Sequence, residues 1–321
     1  MKRSESQKRR LGFTLVEMLV VIGIIGILLT ALLPMVTGSR DSALTAKCKN
    51  NMHSLALGLI LVAQTHEHGH FPAAGMYRTI SWKDRKRKSY YPHRPWISNN
   101  GVISDLNNTT TSVYLGDVVH FSDGEDAVRV ALTNGAIWRA VNETVDIYRC
   151  PTHATAYEKT NNGRQPGWSY MMNQEFGFNQ DGAGALNFFG AGINGKITVS
   201  TESNGKRNKS AARGHDKVLL LAEIQGVEVD ASKHGVSLKP VTGGIEADAV
   251  LEYTRESMGF NHKIGKQRWG GNVAFADGHV DTFMMTDGNN IKDLTRWLCQ
   301  GKDVILNPKT GKYEPADNDD K

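Results

Sequence analysis

The chain has 321 residues, 40% apolar and 22% charged, which excludes global disorder and allows one well-packed domain with an extended element, or two small domains. The net charge of +5 would suggest an anionic partner, but residues 1–12 hold five basic residues against Glu5, and the remainder, with 33 basic and 32 acidic residues, is close to neutral. Cys48, Cys150 and Cys299 form no CxxC pair, which argues against a zinc site built from cysteine alone.

After the basic residues 1–12 an apolar run extends from Phe13 to Val36, with Glu17 its one charged residue. Its 24 residues, as helix, would span about 36 Å, enough for a hydrocarbon core of about 30 Å. The basic flank would stay cytoplasmic and the bulk of the chain would lie outside. A secretory signal peptide fits poorly, because its apolar region is shorter and ends in a small-x-small site, for which Thr30-Ala31-Leu32-Leu33-Pro34 is a weak match. A plain anchor explains the length but not the acid, since a carboxylate in a membrane helix is costly and usually functional.

Gly12-Phe13-Thr14-Leu15-Val16-Glu17 resembles the cleavage and methylation motif of type IV pilins and type II secretion pseudopilins. The resemblance implies that a prepilin peptidase cuts after Gly12 and methylates the new amino terminus at Phe13. It makes Glu17, the fifth mature position, the assembly residue, and Pro34 the helix-breaking proline of a pilin stem. It implies other pilin or pseudopilin subunits, the secretion or pilus assembly machinery and the membrane as partners. The precursor would cross the inner membrane once with a cytoplasmic amino terminus, and the mature protein would enter a periplasmic or cell-surface fibre. Glu17 lies one helical turn beyond Phe13, so the freed amine of a neighbouring subunit is a suitable cation for it. Gly23 and Gly26 either allow close helix approach or are simply tolerated.

Beyond Pro34, Leu44, Cys48, Met52, Leu55, Leu59 and Val62 recur at three- or four-residue spacing and predict an amphipathic helix ended by Gly69 and Pro72. Strands are expected at 113–119, 144–149, 168–172 and 217–224, and a short helix at 126–132. Runs 272–276 and 279–283 flank Asp277-Gly278, which reads as a two-residue hairpin turn with positive φ at both positions. Segments 75–110 and 178–215 read as long loops. The expected fold class is α+β and pilin-like, a long amino-terminal helix packed on an antiparallel head sheet. The divisions are leader 1–12, membrane and assembly helix 13–36, stem 37–70, head 71–306 and a disordered tail 307–321.

The head has landmarks of its own: Cys48-Lys49-Asn50-Asn51-Met52, Cys150-Pro151, Ser169-Tyr170-Met171-Met172-Asn173, Leu219-Leu220-Leu221-Ala222-Glu223 and Asn272 to Val280. Together they resemble large pseudopilin-like proteins whose carboxyl-terminal domain is named for a His, nine residues, then Asp-Gly. Here fourteen residues separate His262 from Asp277, which an insertion around Lys266–Trp269 would explain.

Other chemistry is weaker. His66-Glu67-His68-Gly69-His70 is the most metal-like run but is not HExxH, and reads as a polar helix end. Asp123, Glu125 and Asp126 could hold calcium, but form no EF-hand loop and suit a helix amino terminus; no cofactor or metal is expected. Lys83, Arg85, Lys86, Arg87 and Lys88, followed by Tyr90, Tyr91, Arg94 and Trp96, are the candidate nucleic-acid patch, against the reading of a solvated loop. Cys48 and Cys150 are a candidate disulfide, or two buried thiols. With no nucleotide loop, GxSxG elbow or spaced carboxylate pair, the chain is read as a non-enzyme.

Overall fold

A computed structural model of the chain describes residues 14–65, 69–74, 96–97, 125–153, 167–176, 192–203, 206–226, 249–251, 253, 256–264, 268–286 and 288–316, without the side chains of 31–39, 125–127, 201–203, 206–209 and 288–289. The strand expected at 113–119 and most of the loop at 75–110 lie outside these residues. Two compact units divide between Ala43 and Leu44, and each is taken by itself.

In the first unit, helix α1 (Leu15–Thr65, shared with the second) starts at a capping box that the sequence carries as Thr14-x-x-Glu17. Glu17 Oε2 accepts from the Thr14 amide at 2.7 Å and from its hydroxyl at 2.8 Å, while Thr14 Oγ1 accepts the Glu17 amide at 3.3 Å. Large apolar side chains, among them Leu15, Leu19, Ile22 and Ile27, are exposed around this segment. Where a Cβ would stand on Gly23 or Gly26 there is open space. Thr30 folds its hydroxyl back onto the Ile27 carbonyl, at 2.8 Å, which satisfies it within an apolar run. Among the described residues no helix is long and apolar enough to cross a membrane.

In the second unit α1 keeps the expected stripe: Cys48, Met52, Leu55, Leu59 and Val62 are buried, while Leu44 is only half-buried. The helix ends at Thr65, and the Gly69 amide returns to the Ala63 carbonyl at 2.9 Å. Gly58 lets the helix close on the turn at 136–143, since a Cβ there would stand 2.8 Å from Val141.

Among the described residues the head contains a six-stranded sheet, with β1 (Tyr170–Asn173), β4 (Leu219–Glu223), β5 (Val250–Leu251), β6 (His262–Ile264), β7 (Arg268–Phe275) and β8 (Val280–Met284). Its order is β5-β1-β4-β7-β6, with β8 also paired to β7. The sheet is mixed and not purely antiparallel, because β1 and β5 run parallel. Strand β8 occupies one edge of β7 from Gly270 to Ala274, so β4 and β6 must share the other edge. Strand β4 pairs as far as Ala222 with Val273, and β6 begins with His262 opposite Gly270. The two strands therefore abut end to end, and the gap between them faces Gly271 and Asn272.

Several expectations are corrected. Residues 144–149 form no strand: Val145–Tyr148 is a 3-10 helix whose buried residues, Val145 and Tyr148, stand three apart, the spacing of such a turn. Segment 178–215 contains an antiparallel ribbon, β2 (Ile197–Ser203) with β3 (Lys206–Arg213). The tail is ordered through residue 316, with β9 (Val304–Leu306) paired to β10 (Tyr313–Pro315). Tyr313 anchors it, burying its ring and accepting the Met284 amide on its hydroxyl at 2.7 Å. Helix α2 (Glu125–Thr133) falls close to its expected place, and α3 (Gly288–Cys299) is an element the sequence did not announce. The β7–β8 loop is one residue longer than expected. Phe275 donates its amide to the His279 carbonyl at 2.9 Å, the Gly278 amide returns to Phe275, and of Ala276, Asp277 and Gly278 only Gly278 has positive φ, +95°. This is a three-residue loop, a tight turn closed by a left-handed glycine.

Candidate functional site

The gap between β4 and β6 holds a cluster of four buried ionisable groups. Glu223, at the end of an otherwise apolar β4, and His262, at the start of β6, enter it from the sheet. Cys48 reaches it from α1, and Cys150 from the start of the helical turn at 151–153. One ligand atom from each of these four residues lies within 4.8 Å of the other three, and no residue of the set is more than 1% exposed.

Cys48 Sγ donates to Glu223 Oε1 at 2.8 Å and stands 3.2 Å from the Tyr170 hydroxyl. His262 Nε2 meets the same Glu223 Oε1 at 2.8 Å and Cys150 Sγ at 3.6 Å. A second layer holds the four in place. Asn272 Nδ2 donates to Glu223 Oε1 at 2.9 Å and Asn261 Nδ2 to Glu223 Oε2 at 3.3 Å. Thr152 Oγ1 stands 3.4 Å from His262 Nδ1. The main chain closes the site: the Gly259 amide donates to the Glu223 carbonyl at 2.7 Å, and a Cβ on Gly271 would lie 2.0 Å from the Gly259 carbonyl oxygen.

Electrostatics favours an ion pair inside this pocket. Burial by itself raises a carboxyl, but His262, with hydrogen bonds from His262, Cys48 and Asn272, holds Glu223 below its ordinary range. Burial would lower His262, yet Glu223 and Cys150 carry it up to about 10. Burial, Cys150 and Glu223 push the Cys48 thiol well up. Burial acts on Cys150 in the same sense, but Cys48 and His262 bring it down to about 7.

The arrangement differs from a carboxylate–imidazole–nucleophile relay. In such a relay the carboxylate orients the imidazole through one ring nitrogen while the other serves the nucleophile. Here a single nitrogen, Nε2, faces both the Cys150 thiol and the Glu223 carboxylate. Four donor atoms within 4.8 Å of one another, brought from separate parts of the chain and backed by a second layer of hydrogen bonds, can instead enclose a cation.

The candidate disulfide is not formed: Cys48 and Cys150 are free thiols sharing this cluster, and Cys299 is a buried thiol apart from it at the end of α3. Gly12 and Phe13, the patch Lys83 to Lys88, His66 to His68, Asp123, and the side chains of Glu125 and Asp126 lie outside the described residues. His70 is described and bridges to Gly192. Asp277 acts within its turn, where its Oδ1 accepts the His279 amide at 3.1 Å. Sequence reasoning assigned no site role to Glu223 or His262. A carboxylate ending the apolar run Leu219–Ala222 was the available signal, because such a group needs a buried partner. A second buried carboxylate, Glu175, is satisfied by hydroxyls, those of Tyr253 at 2.7 Å and of Ser200, with the Ser200 amide at 3.1 Å.

Residues 7–33 match the family described as the prokaryotic N-terminal methylation motif. The match spans the basic flank, Gly12-Phe13, Glu17 and most of the apolar run, and supports a type IV pilin- or pseudopilin-like protein of the prepilin type. It fits a membrane-anchored precursor that prepilin peptidase processes. No curated protein and no solved structure matches the chain.

Proposed function

We propose that the chain is a structural subunit of a type II secretion pseudopilus or type IV pilus-like fibre, cut after Gly12, methylated at Phe13 and assembled through residues 13–36. The observation that carries this reading is the methylation motif over residues 7–33, with Gly12-Phe13 and Glu17 at its centre. The apolar run Phe13–Val36 would anchor the precursor in the inner membrane and later pack among neighbouring subunits. Exposed apolar side chains around the first unit, and the open space at Gly23 and Gly26, suit a helix covered by lipid and then by other helices. In this reading the chain catalyses nothing itself, and the head is what the fibre displays.

Amino-terminal sequencing and intact mass of membrane-extracted protein test the first step. The expected mature terminus is N-methylated Phe13, and a terminus at Met1 in cells with active prepilin peptidase would refute the reading.

Glu17 has a second duty that any assembly test must separate from the first, since its carboxylate closes the capping box with Thr14. Glu17→Gln preserves the cap, because Gln serves equally at that position, and removes only the charge. Pairing with the Phe13 amine of a neighbour predicts that Glu17→Gln is cleaved normally yet enters fibres at least tenfold less well. Normal incorporation of that variant would leave Glu17 as a helix cap alone.

A further inference from the structure

We propose that Cys48, Cys150, Glu223 and His262 form a closed structural site for one divalent, thiolate-binding cation of the zinc class, whatever happens to the amino terminus. The donor set is two sulfurs, one imidazole nitrogen and one carboxylate oxygen, a mixture suited to zinc and unsuited to calcium or magnesium, which require oxygen ligands. In a tetrahedral site with metal–sulfur bonds of about 2.3 Å and metal–nitrogen or metal–oxygen bonds of about 2.0 Å, neighbouring donors stand about 3.3–3.8 Å apart. Cys150 Sγ and His262 Nε2 have that separation, 3.6 Å. The two contacts of Glu223 Oε1, at 2.8 Å each, are shorter because a proton holds each pair together, and a cation would replace those protons.

The surroundings match the charge such a site would carry. Two thiolates, one carboxylate and a neutral imidazole around a divalent ion leave one negative charge. The neighbours positioned to offset it are donors: Asn272 and Asn261 toward Glu223, and the Tyr170 hydroxyl toward Cys48. Thr152 Oγ1 can accept a hydrogen bond from His262 Nδ1–H, which favours the tautomer that leaves Nε2 free to coordinate. Binding releases the proton of each thiol still protonated and the second imidazole proton to solvent, and nothing is oxidised or reduced. Complete burial with four protein ligands leaves no open position for substrate, so the ion would clamp helix α1 to the two strand ends and not catalyse.

The test uses the full chain, extracted in detergent from cells grown with zinc and, separately, with cobalt replacing zinc. Elemental analysis should find about one zinc per chain. The cobalt form should show intense visible bands of a tetrahedral centre and a near-ultraviolet thiolate-to-cobalt charge-transfer band. Cys150→Ser should lose at least tenfold in metal content after dialysis, while Cys299→Ser, which alters a buried thiol outside the cluster, should retain it. The wild-type cobalt spectrum decides the question even if Cys150→Ser does not fold. Three results would overturn the proposal: wild-type protein with neither zinc nor a cobalt–thiolate band, a Cys48–Cys150 disulfide in peptide maps of metal-free protein, or undiminished metal in folded Cys150→Ser.

Discussion

Replacing Glu223 by Ala should destabilise the head by about 3–5 kcal/mol, the cost of breaking a buried charge pair from one side. The carboxylate is fully buried and accepts hydrogen bonds from Cys48, His262, Asn272 and Asn261. Ala removes the acceptor of all four donors at once and leaves the buried positive charge beside it, imidazolium or bound cation, without its counter-charge. Glu223→Gln keeps the volume and one carbonyl oxygen, so it should lose less, although its new amide group faces donors. Denaturant titration of the full chain, followed by near-ultraviolet dichroism and tryptophan fluorescence, measures both variants. A shift below about 1 kcal/mol for Glu223→Ala would mean that the cluster contributes little to the fold.

Gly271→Ala should be the other damaging change, at about 3 kcal/mol, by forcing two backbones apart. The added methyl would stand 2.0 Å from the Gly259 carbonyl oxygen, and that main chain cannot retreat as a flexible side chain would. A Cβ on Gly259 would in turn meet the Ile224 backbone at 2.6 Å, so the crossing segment is confined on both sides. Movement there would also pull the Gly259 amide from the Glu223 carbonyl, which ties the strain directly to the cluster. Gly192→Ala is the control: its Cβ would meet nothing nearer than 3.7 Å, and its midpoint should stay within about 0.5 kcal/mol of wild type in the same titration.

The elements legible in the sequence are those whose pattern is local. The stem stripe from Cys48 to Val62 follows from helical spacing alone, and β4 from the short unbroken apolar run of a strand covered on both faces. The capping box Thr14-x-x-Glu17 is equally local. The β2–β3 ribbon escaped because Lys206–Arg213 has no apolar alternation to mark it, although Ile197 and Val199 on its partner are buried. The carboxyl-terminal ribbon escaped because its strands are only three residues long and the apolar residues of β9, Ile305 and Leu306, stay exposed, which leaves Tyr313 as the buried anchor.

By itself, then, the sequence determined the amino-terminal motif, the helical stem, the apolar central strand and the glycine of the β7–β8 loop. Each is set by residues within a few positions of one another. The tertiary structure alone decided that Cys48, Cys150, Glu223 and His262 meet, since Glu223 lies 175 positions beyond Cys48 and His262 lies 112 positions beyond Cys150. No spacing rule spans such distances. The physical cause is that β4 and β6 end against each other on one edge of β7, which leaves Glu223 and His262 flanking a gap into which helix α1 brings Cys48 and the turn at 151–153 brings Cys150.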